Sequence, residues 1–169
     1  MSGETHLYLG RQYRLRVEFG ERESLKLSGG YFWASTPVHA SAGEGAPDVS
    51  REKSKVAERL LKDWYTTKAR LKFPEIAAPY FARFAELGYQ PSELVIKWMD
   101  KRWGSCTAGG KLILNTDLVR APRGCIEYVI VHELCHLVYL DHGKQLRALQ
   151  AQEFPEWRKY KQLLEERMA

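Results

Sequence analysis

Tyr128-Val129-Ile130-Val131-His132-Glu133-Leu134-Cys135-His136-Leu137-Val138-Tyr139-Leu140-Asp141-His142-Gly143 is the stretch that decides how this chain is read. Together with Ile126, its apolar residues leave almost no polar side on a helix, and Pro122 suits the first helical position, so the stretch predicts a helix buried at the centre of its domain. His132 and His136 stand four residues apart, one helical turn, so both imidazoles leave the same face at a separation one cation can bridge. A His and a Glu without compensation in so apolar a helix would carry a large desolvation cost. A metal offers that compensation.

Zinc prefers nitrogen and sulfur ligands in a tetrahedron, and a catalytic site leaves one position for water, so a third protein ligand is required. His142 follows His136 by six residues, with Gly143 after it to let the chain turn back; Glu156 and Glu153 on the last helix are the competing ligands. Three of the five histidines of the chain fall within these eleven residues. We expect His132, His136 and His142 to hold one zinc ion per chain. Glu133 points about 100° around the helix from His132 and is expected to act as general base on a metal-activated water. Cys135 points away from both histidines and reads as packing. Cys106 follows Trp103-Gly104-Ser105 in a turn, where these residues line a candidate substrate cleft or simply shape the turn. Lys97, Lys101, Arg102 and Arg120 are candidates for a positive rim, against the simpler reading of solvated surface charges.

Outward from this centre, Leu94–Met99 and Lys111–Asn115 read as two strands joined by a Gly-rich turn, with an antiparallel hairpin expected. Asn115 falls at the cleft end of the second, and an extended substrate is expected to pair along Lys111–Asn115. Ser50 to Leu71 carries Val56, Leu60, Trp64 and Leu71 at helical spacings, and a second helix is expected from near Pro74 to Leu87, irregular at Pro79 and stopped by Gly88. A last helical stretch runs from Lys144 to about Arg167, interrupted at Pro155. Ahead of these, Leu7–Gly10, Tyr13–Phe19, Ser24–Leu27 and Tyr31–Ala34 alternate as strands, the last two as a hairpin, and Pro37–Pro47 reads as a loop. The division expected is an N-terminal β-rich region, 1–48, packed on a domain over 49–169.

Composition limits the alternatives. The 169 residues are 44% hydrophobic with five Trp, nine Tyr and six Phe, which favours a folded core over disorder. The longest apolar run, Tyr128 to Leu140, falls short of the ~20 residues that cross a bilayer. The N-terminus has neither a basic start nor an apolar stretch, so a cytoplasmic location is expected. Three cysteines without a Cys-x-x-Cys pair argue against a disulfide framework or a zinc ribbon. The net charge is +5; residues 1–50 carry five bases and six acids, so the excess lies in the rest of the chain, spread thinly enough that nucleic-acid binding is only weakly supported.

Beyond these local readings, the chain resembles the YgjP-like metallopeptidase-domain family, a branch of zincins related to the SprT-like and Wss1-like proteases. The resemblance rests on Tyr8-Leu9-Gly10-Arg11, Arg102-Trp103-Gly104-Ser105-Cys106, Leu114-Asn115 with Leu118, Tyr128 through Leu137, Asp141-His142-Gly143 and Pro155-Glu156-Trp157. It implies an α+β, zincin-like fold, an active-site helix packed on a small antiparallel sheet with an added N-terminal β-region. It also implies His132, His136 and His142 as zinc ligands and Glu133 as the catalytic residue. Two positions depart from the family: Asp141-His142-Gly143 stands where Asn-His-Ser is usual, and Leu146 where an aromatic is usual. The ligand spacing also equals that of metzincins, but Tyr139 replaces their glycine and no methionine follows before Met168.

The reading that results is a zinc metallopeptidase acting on polypeptides. Its rivals are a metal-dependent hydrolase of a nucleotide phosphoanhydride, and a protease associated with nucleic acid. No membrane partner is expected, and the sequence sets no oligomeric state.

Overall fold

Two tight turns shape the first four strands. In the computed structural model, which describes residues 3–37 and 49–168, β1 (Thr5–Tyr8) pairs antiparallel with β2 (Arg11–Phe19), and Tyr8 faces Arg11 across a two-residue loop. That loop, Leu9-Gly10, takes φ of 48° and 78°, positive at both positions as a hairpin turn matched to strand twist demands. Leu9 therefore leaves the strand expected for it. Gly29-Gly30, with φ of 57° and 82°, makes the same turn between β3 (Ser24–Ser28) and β4 (Tyr31–Thr36), an antiparallel hairpin as the Ser-Gly-Gly spacing predicted. The sheet order is β1-β2-β4-β3, and β2 runs parallel to β4.

The chain divides by internal packing into two compact units, Met1–Tyr65 and Thr66–Ala169. In the first, period-2 alternation turns Leu15, Phe32 and Ala34 inward, where they are buried with Ala57, Leu61 and Tyr65 of helix α1 (Val49–Glu86). Phe32 meets Trp64 edge-on at 4.9 Å, Trp64 meets Tyr8 at 4.8 Å, and the Tyr65 hydroxyl donates to the Leu7 carbonyl at 2.7 Å. The loop expected over Pro37–Pro47 lies, beyond Pro37, outside the described residues.

Helix α1 corrects the expectation of two helices, since it continues through both Pro74 and Pro79. Each proline forfeits a backbone hydrogen bond. Ala69, Phe73, Ile76, Ala77 and Phe84 are all buried on one stripe across this segment, and that burial outweighs the local penalty. The helix ends where expected: the Gly88 amide bonds to the Ala85 carbonyl and Tyr89 to Phe84, with Gly88 at φ 90°.

The second unit holds a three-stranded sheet of order β5-β7-β6, made of β5 (Glu93–Lys97), β6 (Gly104–Cys106) and β7 (Lys111–Asn115). The expected antiparallel hairpin of β5 and β7 is not what forms. They are parallel, because the connection between them contains β6, which runs back antiparallel to β7. Nor can substrate pair along Lys111–Asn115, since β7 is the central strand with both edges taken. The two edges of the sheet belong to β5 and β6.

A 3₁₀ turn (Thr116–Arg120) leads to helix α2 (Arg123–Cys135), buried nearly all round, with Ile126, Ile130, Val131 and Leu134 fully inaccessible. Pro122 stands at the N-cap rather than at the first helical position expected for it, so α2 starts one residue later, at Arg123. The helix stops earlier than expected, at Cys135, where Leu137 and Val138 tighten into i→i+3 bonds to Leu134 and Cys135. Helices α3 (Lys144–Glu153) and α4 (Trp157–Met168) flank α2 and break around Pro155 as predicted. Arg83 binds Glu153 through two nitrogens, at 3.0 and 3.3 Å, fastening α1 to α3 within this unit.

Close packing of α2 on α4 depends on Gly124. A Cβ there would lie 2.2 Å from Cε1 of Tyr160, so Gly124→Ala is expected to destabilise the protein by about 1–3 kcal/mol, read from the urea midpoint at unchanged slope.

Candidate metal centre

Helix α2 delivers His132 from its last turn, while His136 sits at the C-cap with αR backbone angles and His142 returns from the loop before α3. Three ring nitrogens converge as a result. The His136 Nε2 to His142 Nε2 distance is 3.2 Å, and that from His142 Nε2 to His132 Nε2 is also 3.2 Å. Zn–N bonds of ~2.05 Å in a tetrahedron set an N···N edge of ~3.3 Å, so the spacing suits that ion.

The other sides of the rings fix the tautomers. His132 Nδ1 faces Gln150 Oε1 at 2.9 Å and His136 Nδ1 faces the Tyr139 carbonyl at 3.0 Å. Both acceptors require Nδ1–H as donor, which leaves Nε2 of His132 and of His136 as lone-pair atoms that both face Nε2 of His142. Burial, reinforced by His136 and His142, also holds His132 below its ordinary pKa despite the Gln150 contact, favouring the neutral, ligating form. Lone pairs gathered this way fit a cation.

Among the described residues, these three histidines are the group positioned to hold a metal. Glu153 and Glu156 are not part of it: Glu153 is bound to Arg83, and Glu156 pairs with Lys159 at 3.1 Å. Cys135 is fully buried, and burial pushes its thiol up to about 12, so the reactive thiolate is suppressed. Asp141 makes no hydrogen bond to the histidine rings among the described residues; its carboxylate lies over Gly143, Oδ1 standing 3.1 Å from where a Cβ would be.

Glu133 is 7% exposed and accepts a backbone hydrogen bond from Cys106 on β6. Burial pushes its carboxyl up to about 7, against the opposing pull of Arg102 and that hydrogen bond. Strand β6 comes this close because residue 104 is glycine: a Cβ would stand 2.8 Å from Glu133 Cγ and 2.8 Å from Val129 Cγ1. Ser105 and Cys106 line an open cleft of about 490 Å³ with Glu133 and the three histidines, and Leu140, 88% exposed, stands on its rim. Trp103 lines an adjoining cavity of about 230 Å³ with Tyr128, Val129 and Leu164. Arg102 borders both cavities.

Asn115 is placed differently from its expected position in the cleft. It is buried, its Nδ2 donating to the Met99 and Arg102 carbonyls at 2.7 and 2.9 Å and its Oδ1 accepting from the Asp117 amide at 3.1 Å. Its side chain therefore ties down the loop leading to β6. Of the rim cations proposed from sequence, Arg102 alone lines the cleft.

Sequence reasoning missed Gln150 and Gly104. Gln150 is 2% exposed, and no motif marks a lone glutamine on an otherwise amphipathic helix. Acceptors behind a ligating imidazole orient it and raise its basicity. Gln150→Leu is expected to weaken zinc affinity about 10–100-fold with the fold kept, measured by competition with a chromogenic chelator.

The arrangement of a buried helix bearing His-Glu-x-x-His against a small sheet, with a third histidine returning to it, is that of zincin-like proteins. A solved structure of the metallopeptidase zymogen jannalysin from Methanocaldococcus jannaschii shares the fold: the TM-score is 0.50 at 18% identity, over 57% of this chain and 97% of that one. That likeness shows the α+β, zincin-like architecture, and the family match makes the class that of metal-dependent proteases. The YgjP-like, metallopeptidase domain model matches residues 1–167, and the chain belongs to that family. No curated protein matches it. No helix among the described residues is long and apolar enough to cross a membrane.

Proposed function

We propose that the chain is a zinc-dependent peptidase in which His132, His136 and His142 hold the ion and Glu133 is the catalytic base. The observation that carries this reading is the convergence of the three Nε2 atoms at 3.2 Å beside a buried carboxylate that opens onto a cleft. When bound, zinc supplies a Lewis acid that lowers the pKa of water toward ~7 and polarises a carbonyl.

The chain's own residues do the rest. Glu133, held by the Cys106 amide, takes a proton from the attacking water and delivers it to the leaving amine. A carboxyl whose burial brings it near neutrality can do both. Arg102, at the mouth of the cleft, offers a fixed positive charge to carbonyl or carboxylate oxygens of the substrate. An extended polypeptide pairs with the free edge of β6, which brings its scissile bond past Glu133, while Leu140 adds apolar contact at the rim.

Removal and return of the metal test this directly. Chelation is expected to abolish cleavage of an unfolded polypeptide, and one equivalent of zinc per chain to restore it. Hydrolysis of nucleoside triphosphates, with polypeptide untouched, would instead support the phosphoanhydride reading.

A further inference from the structure

The geometry points to a binding face for single-stranded nucleic acid on the outer surface of the N-terminal sheet. Alternation fixes which residues share this face. With Leu15, Phe32 and Ala34 turned to the core, Arg14, Arg16, Glu18, Tyr31, Trp33 and Ser35 turn outward.

Register then arranges them in rows. Arg14 lies beside Tyr31, and Ser28 on the other side of it; in the next row Arg16 and Lys26 flank Trp33. Each aromatic ring thus has an arginine as its neighbour in the parallel pair. The two rings are 5.8 Å apart, and the Arg16 guanidinium carbon lies 4.3 Å from the Tyr31 centroid and 5.4 Å from that of Trp33. With the rings tilted 53° to each other and the guanidinium over both, they form one cationic aromatic cluster.

Charge is sorted onto this face rather than inherited from composition. The described residues 3–37 hold five bases and four acids, yet three of those bases, Arg14, Arg16 and Lys26, and one of those acids, Glu18, lie here. Solubility would be served by polar side chains alone. Two half-buried rings between cations are what bases and phosphates together require: π-faces for stacking and positive charge for the backbone. Open depressions of about 430 and 400 Å³ meet along Arg14 and Tyr31. Residues two apart on a strand repeat at ~6.8 Å, a length that one extended nucleotide can follow. None of these residues belongs to the metal centre, and the inference does not depend on the peptidase reading.

The test uses the full chain and fluorescein-labelled oligouridine and oligothymidine, followed by anisotropy. Single-strand binding is expected, weakening about 20-fold between ~50 and ~200 mM salt, as release of about three phosphate counterions requires. Trp33→Ala is expected to cost about tenfold or more, Trp33→Phe about threefold or less, and Arg14→Gln to flatten the salt dependence. The Phe variant separates stacking from any loss of fold. Binding of either probe supports the inference, and the tighter one identifies the sugar preferred. Absence of binding at ~50 mM salt, equal affinity for duplex DNA or heparin, or wild-type affinity in Trp33→Ala would overturn it.

Discussion

Glu133→Gln is expected to reduce turnover of an unfolded polypeptide by about 10²–10⁴-fold, with the zinc content unchanged. Glutamine keeps the size of the side chain and an oxygen to accept the Cys106 hydrogen bond, so the buried position beside Gly104 stays filled. What it loses is the ability to take a proton and pass it on. The nitrogens proposed to hold the ion belong to other side chains, so zinc is expected to stay. Comparing kcat with bound zinc, measured on the same preparation, separates a lost base from a lost ion. A variant that loses its zinc along with its activity would mean that Glu133 serves the fold of the site rather than the chemistry.

Gly104→Ala is expected to produce a comparable loss of activity by a different route. The added Cβ would lie 2.8 Å from Glu133 Cγ, 2.9 Å from Glu133 Oε1 and 2.8 Å from Val129 Cγ1. Helix α2 is close-packed and cannot retreat, so strand β6 moves out and its grip on the carboxylate is lost. A displacement near 1 Å of a reacting group costs about 100-fold in rate, and the overpacking costs about 1–3 kcal/mol of stability. Because the atoms that this Cβ meets first belong to Glu133 and Val129 and not to an imidazole, zinc affinity should hold. Turnover, urea midpoint and zinc titration on the same variant test all three parts.

Both predictions fall where the sequence was only partly legible. The four-residue spacing of His132 and His136 and the glycine after His142 were readable as a pattern, and their ring nitrogens do converge. The wholly apolar helix, the Gly29-Gly30 hairpin, the stop at Gly88 and the break at Pro155 were readable for the same reason: each is dictated by a few adjacent residues. Features set by distant contacts were not. Three residues of β6 are too few to show a period of two, and without β6 the next pairing in sequence, β5 with β7, was given the wrong direction. Pro74 and Pro79 read as interruptions because the burial of Phe73, Ile76 and Phe84 that carries α1 through them is tertiary. Asn115 stood at the end of a strand aimed at the cleft, yet its amide is consumed by the loop above it. Gln150 and Gly104 carry no local signal, since one matters through the ring it orients and the other through the side chain it leaves room for.

The central claim is that one zinc ion sits between His132, His136 and His142. A crystal of the zinc-saturated protein, measured on both sides of the zinc absorption edge, tests it most directly. A single anomalous peak about 2.0–2.1 Å from all three Nε2 atoms, with Glu133 outside bonding distance, is the predicted result. A peak ligated by Glu153, Glu156 or a cysteine in place of one of these rings, or no peak between them at full zinc loading, would contradict it.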